Sequence, residues 1–133
     1  IVTDSLPSAK KSGEPGSSVL NIAKGLEYSD NDPEFYRELL RLFTEEAPKS
    51  LERLSTALAD NDLELYTTLV HGMKNNARGI GADSAGELCF EAEQTARAGN
   101  AAPLPELHLK IEQAITEAAA EAARLSETEK ITQ

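Results

Sequence analysis

The segment LELYTTLVHGMKNNARGIGA, residues 63–82, carries its large apolar residues three or four positions apart. This is the spacing of a helix that buries one stripe in a bundle. The stripe contains Leu63, Tyr66, Val70, Met73, Ala77 and Ile80. The spacing predicts a helix over about residues 62–79, and Gly79 and Gly81 favour a C-terminal stop at its end.

The other face of this helix carries His71, one of only two histidines in the chain. At 100° per residue, Arg78 lies about 20° and Lys74 about 60° from His71 on one side. Asn75 lies about 40° away on the other side. No acid occurs in residues 65–82, although 23 acids in 133 residues would place about three there. The pattern predicts an exposed, reactive imidazole beside two cations, on a surface that avoids carboxylates.

Length and composition indicate a single domain of 133 residues with a formal charge of −10. A chain this acidic is a poor partner for nucleic acid or an anionic membrane, because both require a basic face. No apolar run approaches the ~18 residues of a membrane span. The single cysteine, Cys89, excludes an internal disulfide and fits a reducing compartment. These features predict a cytoplasmic domain without direct membrane contact.

The two ends of the chain have the composition of unstructured segments. Residues 1–17 hold Ser, Gly, Pro and Lys with few large apolar groups, which predicts a flexible linker or else a frayed tail. Residues 128–133 form a polar tail, so the folded domain is expected over residues 18–127. Because the chain begins with Ile1 rather than Met, we expect a module tethered within a longer protein.

Two helices are predicted before the central one. The first is short, lies within residues 18–31, and ends either at Gly25 or at the polar run 29–32. Its apolar residues are Val19, Ile22, Ala23 and Leu26. The second begins at the N-cap Asp32 and continues through Pro48 with a kink. Its expected buried stripe is Phe35, Leu39, Leu42, Phe43, Leu51, Leu54 and Leu58.

A fourth helix is expected over about residues 84–98, with Asp83 or Ser84 as its N-cap and Gly99 after its end. Its expected inward residues are Ala85, Leu88, Ala92, Thr95 and Ala96.

The last helix runs from the turn at residues 103–105 to about Ser126. Its stripe is Leu107, Ile111, Ala114, Ala118, Ala122 and Leu125. No segment shows the apolar alternation of a strand. Four main helices with short loops predict an all-α fold, an antiparallel up-down-up-down four-helix bundle with a short additional N-terminal helix.

Most kinds of active site lack the residues that they need. His71, His108 and Cys89 are far apart in sequence, and no HExxH or CxxC motif marks a metal site. No GxxxxGK[ST] loop is present for nucleotide phosphates. Nothing in the spacing places a nucleophilic Ser or Cys beside His71.

An exposed histidine with nearby cations does suit the transfer of a phosphoryl group. Neutral imidazole is a competent nucleophile near neutral pH, because its unperturbed pKa is about 6.5. The product carries about two negative charges, which Lys74 and secondarily Arg78 would stabilise. The plainer alternative, an ordinary surface histidine on a solvated helix face, stays open on these grounds alone.

The segment VHGMKNNARGIGADSAGELCFEAEQ, residues 70–94, resembles the signature of histidine-containing phosphotransfer (HPt) domains, of the kind found at the C-terminus of hybrid sensor histidine kinases. The family's pattern is roughly H-x-L-K-G-x-A-x-x-[IL]-G-A. The matching positions are His71, Met73, Lys74, Ala77, Ile80, Gly81 and Ala82. The resemblance covers about residues 19–125. Asn75 departs from it, because the family usually has Gly there.

The resemblance implies that His71 accepts a phosphoryl group from a receiver-domain aspartate and passes it to another receiver. The response-regulator receiver would bring the Mg²⁺, and the domain would need no cofactor and no ATP site of its own. It implies a cytoplasmic, monomeric carrier, free or tethered to a membrane-bound kinase, rather than an enzyme. Asn75 would lie on the docking face, and Nε2 is the expected site of phosphorylation.

Two alternatives remain at this point. A non-catalytic module that docks a receiver is favoured only by Asn75, which could crowd the surface beside His71. A structural or dimerising bundle is compatible with the Ala-rich last helix, but it leaves His71, Lys74 and Arg78 without a purpose.

Overall fold

The structure is a computed structural model that describes residues 19–127, and its regular structure consists of five helices. They are α1 Ile22–Tyr28, α2 Pro33–Ala59, α3 Leu63–Gly79, α4 Asp83–Arg97 and α5 Leu104–Ser126. No strand occurs within residues 19–127, so the all-α prediction is confirmed. The predicted linker at 1–17 and tail at 128–133 lie outside the described residues. No described helix is long and apolar enough to cross a membrane.

The four long helices form an antiparallel up-down-up-down bundle. Helix α3 packs between α2 and α4, and α5 closes the ring by packing against the same two helices. Short connections at residues 60–62, 80–82 and 98–103 reverse the chain direction between neighbours. The largest fully buried side chains of the core are Tyr36, Tyr66, Leu40, Leu54, Ile80, Leu104, Ile111, Ile115 and Val70.

Helix α2 begins at the predicted N-cap. The Asp32 side chain accepts hydrogen bonds from the backbone of Glu34 and Phe35, and Pro33 occupies the first turn. The helix continues through Pro48, whose missing N–H does not end it.

The predicted buried stripe of α2 is partly wrong. Phe35 is 50% exposed and Leu42 is 49% exposed. The residues that do turn inward are Tyr36, Leu40, Phe43, Ala47, Leu54 and Ala57. The apolar sector of this helix is wider than the strip that α3 and α5 cover, so its periodicity alone could not locate the centre of burial.

The N-cap of α1 and a tyrosine of α2 hold the turn that follows α3. The backbone N–H of Asn21 donates to the carbonyl of Gly81 at 2.8 Å, and the Tyr36 hydroxyl donates to the carbonyl of Ile80 at 2.8 Å. Gly81 has φ +88°, a conformation that favours glycine.

Gly25 lies inside α1, so of the two predicted ends the polar run beginning at Ser29 is the correct one.

Helix α4 begins differently from the prediction. Its N-cap is Ala82, without a side-chain hydrogen bond, and Asp83 is the first helical residue. The Asp83 carboxylate stabilises the first turn of α4 through its interaction with the helix dipole. It also lies 3.4 Å from Lys24 Nζ. Ala85 and Ala92 are buried as expected, whereas Leu88 is only partly buried.

Candidate functional site

His71 lies in the middle of α3 with half of its side chain exposed. Val70 and Met73, on the stripe beside it, are buried in the bundle, and this orientation turns the ring outward. The predicted exposure of His71 is therefore confirmed.

Glu93 of α4 contacts His71 directly. Its Oε2 atom lies 2.7 Å from His71 Nδ1, and the carboxyl group is only 2% exposed. The contact follows from the hairpin formed by α3 and α4, whose turn at residues 80–82 is centred on Gly81. Residues at similar distances before and after that turn face each other, and His71 and Glu93 lie 10 and 12 positions from Gly81. The prediction that the surface around His71 avoids carboxylates is therefore wrong, because Glu93 contacts the ring itself.

Glu93 is the common acceptor for two cations as well. Lys74 Nζ donates to Oε1 at 2.7 Å, and Arg97 Nη2 donates to Oε2 at 2.9 Å. Lys74 is only 8% exposed and lies 5.5 Å from the centre of the Phe90 ring. The sequence predicted Lys74 on an exposed surface beside His71. In the structure its side chain instead extends from α3 towards α4. Its charge is therefore engaged by the buried carboxylate.

The pKa of Glu93 reflects this network. Burial by itself raises the pKa, but hydrogen bonds from Lys74 and His71, together with their charges, outweigh it and lower the pKa to about 2. Glu93 is thus ionised at neutral pH and can only accept hydrogen bonds. His71 must then carry a proton on Nδ1, so a neutral ring has its free lone pair on Nε2.

Asn75 is the described residue that approaches this second nitrogen. Its Nδ2 atom lies 3.4 Å from His71 Nε2, and its side chain is exposed. With the lone pair on Nε2, the amide group must present its NH2 rather than its oxygen.

Arg78 lies farther along α3 and does not contact the His71 ring. Its stem crosses Gly86 so closely that an added Cβ there would meet Arg78 Cγ at 2.9 Å. Its guanidinium group lies 5.8 Å from the Phe90 ring centre and 3.6 Å from Glu87 Oε2. The structure thus brings Asn75 to His71 directly and Lys74 to it through Glu93, and leaves Arg78 about two turns away.

A groove of about 300 Å³ runs between α2 and α3 and reaches Asn75. Its apolar lining includes Leu39, Leu42, Phe43, Met73, Ile80 and Ile115. A Cβ added at Gly72 or Gly79 would meet nothing within 4 Å, so the surface near His71 and along the groove is open.

Sequence reasoning missed Glu93 and Arg97. A signal for both existed in the predicted hairpin. Reflecting His71 through the centre of the turn at residues 80–82 gives residue 91, within one helical turn of Glu93, and Arg97 follows Glu93 one helical turn later on the same face. Among the described residues, no cluster of three metal-ligating side chains occurs.

Comparison with known proteins agrees with this geometry. The family model of the Hpt domain matches residues 38–121, and the chain belongs to the Hpt domain family. No curated protein matches the chain.

Two solved structures share the fold. One is the HPT domain of a sensor hybrid histidine kinase from Shewanella, and the other is histidine-containing phosphotransfer protein B from Pseudomonas aeruginosa. Each is 20% identical in sequence, with a TM-score of 0.76, over 84% of this chain and 97% of the other.

Membership of the family defines the class of protein. Hpt domains are phosphotransfer carriers that interact with the receiver domains of response regulators. The chain is a phosphorelay intermediate of two-component signal transduction.

Proposed function

We propose that His71 carries the phosphoryl group, bonded through Nε2. The observation that supports this most directly is the 2.7 Å contact between His71 Nδ1 and the ionised Glu93. That contact holds the proton on Nδ1 and leaves the Nε2 lone pair on the exposed side of the ring.

In the proposed step, the Nε2 lone pair attacks the phosphorus atom of a receiver's aspartyl phosphate. The N–P bond forms as the P–O bond to aspartate breaks, and the released electron pair returns to the aspartate carboxylate. The ring keeps its Nδ1 proton, so the positive charge that develops on it faces Glu93, whose carboxylate stabilises it. The reverse step passes the phosphoryl group to a second receiver.

Lys74 supports this chemistry chiefly through Glu93. Its ammonium group holds the carboxylate in place at 2.7 Å and offsets the cost of burying its charge. At the same time it adds positive potential beneath the site of the incoming phosphoryl group. Arg78 contributes secondarily, through its charge at the edge of the docking face.

The receiver docks on the face that contains His71, Asn75 and the groove between α2 and α3. Leu42, 49% exposed, and the other apolar lining residues supply the contact area, as the centres of protein interfaces do. The receiver supplies the Mg²⁺. The domain acts as a monomeric cytoplasmic carrier that binds neither ATP, nucleic acid nor membrane.

The test is ³¹P NMR of the domain mixed with a phosphorylated receiver and Mg²⁺, beside the same mixture with His71→Gln. We expect a phosphoramidate signal in the native domain and none in the variant. A comparable signal in His71→Gln would refute the assignment. Measurable binding with no signal, across several receivers, would instead indicate a docking module without chemistry.

A further inference from the structure

We propose that Asn75 retains the phosphoryl group on His71. In the free domain its amide lies against Nε2, and after transfer the same N–H group donates to a phosphoryl oxygen and prolongs the life of the phosphohistidine. This inference rests on the proposed function of His71.

The geometry places Asn75 where the phosphoryl group must arrive. The residue follows His71 by four positions, which puts both on one face of α3, and Nδ2 lies 3.4 Å from Nε2. A phosphoryl group bonded to Nε2 would occupy the space that the amide now fills. Because the Asn75 side chain is exposed and makes no second hydrogen bond with the described residues, it can turn aside. Its N–H then faces the phosphoryl oxygens.

The other donors near His71 are already engaged by carboxylates. Lys74 and Arg97 both hydrogen-bond to Glu93, and Arg78 pairs with Glu87. Among residues 19–127, Asn75 is therefore the donor that lies at Nε2 without a carboxylate partner.

The energetic difference favours the phosphorylated state. In the free domain the amide makes a long hydrogen bond between neutral groups at 3.4 Å. After transfer it donates to a dianion, and charge-assisted hydrogen bonds are roughly twice as strong as neutral ones. Loss of the phosphoryl group passes through a loose transition state that spreads this charge, so part of the bond is given up as the N–P bond breaks. Asn75 should therefore slow that loss.

The test follows the lifetime of the phosphohistidine. The domain is loaded with potassium phosphoramidate, a small donor that needs no docking surface, and the N–P signal is followed by ³¹P NMR after the donor is removed. Asn75→Ala should shorten the half-life about two- to tenfold, the range expected for one hydrogen bond. Asn75→Asp has the same shape but places a negative charge beside the phosphoryl group, so it should shorten the half-life further.

Asn76→Ala is the matched control. It removes the same amide from the next position of α3, where the side chain makes no hydrogen bond with the described residues, and its half-life should equal that of the native domain. In the free domain, the ¹⁵N resonance of His71 Nε2 should move in Asn75→Ala and stay unchanged in Asn76→Ala.

Equal half-lives in the native domain and Asn75→Ala, or a longer half-life in Asn75→Asp, would overturn the role of Asn75. The proposed function itself would fail if the native domain gave no N–P signal, or if the signal persisted in His71→Gln. The two failures are therefore distinguishable.

Discussion

The two histidines of this domain occupy opposite environments. His71 is half exposed on α3, whereas His108 of α5 is 5% exposed inside the bundle. Each has a partner on Nδ1, the Glu93 carboxylate at 2.7 Å for His71 and the Tyr66 hydroxyl at 3.2 Å for His108. They differ in Nε2: that of His71 lies on the exposed side of the ring, whereas that of His108 is buried and lies 3.4 Å from the Glu112 carboxylate.

The chemistry of the two partners differs as well. Burial raises the pKa of Tyr66, so its hydroxyl remains neutral and can either donate or accept. The network around Glu93 lowers its pKa to about 2, so that group only accepts. An ionised partner on Nδ1 therefore places the proton of a neutral His71 on that nitrogen. In His108 the neutral Tyr66 lies at Nδ1, and the carboxylate, Glu112 at 3.4 Å, lies at Nε2 instead. Both histidines have a partner on Nδ1 and a carboxylate beside one ring nitrogen, so what distinguishes His71 is that the carboxylate lies at Nδ1 and leaves an accessible Nε2.

The largest expected effect comes from exchanging the two histidines for glutamine one at a time. His71→Gln should abolish phosphoramidate formation and leave the bundle folded, with a modest loss in melting temperature, because the ring is half exposed but contacts the buried Glu93. His108→Gln should keep the label and lower the melting temperature, because it disturbs a buried contact with Tyr66. ³¹P NMR and thermal unfolding of both variants check this. Loss of the label in a folded His108→Gln protein would break the distinction.

The second prediction concerns the dependence of stability on pH. The pKa of Glu93 falls from an ordinary value of 4.5 to about 2, which corresponds to a contribution on the order of 3 kcal/mol to the free energy of unfolding. Because the folded-state pKa is the lower one, this contribution is complete above about pH 4.5 and is lost as the pH falls through about 2.

Comparison of the native protein with Glu93→Gln separates the contribution of Glu93 to stability from the contributions of the other acids. The difference in unfolding free energy between native and variant protein should shrink as the pH is lowered from 5 towards 2. Denaturant titrations at several pH values measure it. A difference that stays constant over this range would show that Glu93 is not held ionised by its partners.

A smaller effect is expected for Lys74→Ala. Removing the ammonium group deprives a buried carboxylate of one of its three donors, which should cost about 1–3 kcal/mol of stability. Lys49→Ala is the matched control, because Lys49 is 65% exposed and lies 3.8 Å from Glu46 on the surface. Urea unfolding of both variants provides the comparison. Equal stabilities would mean that Lys74 does not sustain the buried charge of Glu93.

The smallest effect is expected for Arg97→Ala. Arg97 shares Glu93 Oε2 with His71, but its side chain is 57% exposed, so its loss should cost less than about 1 kcal/mol. Arg41→Ala, at a surface pair with Glu38, gives the reference for an ordinary exposed ion pair. A loss well above that of Arg41→Ala would place Arg97 among the groups that hold the site together.

The sequence by itself determined the helices and the outward position of His71. Both depend on local periodicity, because the residues of one helix have fixed angular positions around its axis. Asp32 was likewise recognisable as the start of α2, because an N-cap residue acts on the first turn of its own helix.

Only the tertiary structure decided which partners surround His71. The contact with Glu93 joins two helices, and its existence depends on the register of the hairpin between α3 and α4. Viewed on its own helix, Glu93 is a charged residue expected in water, and Lys74 is a cation on a polar face. Packing buries both, because each offsets the desolvation of the other, and this pairing fixes the reactive nitrogen of His71.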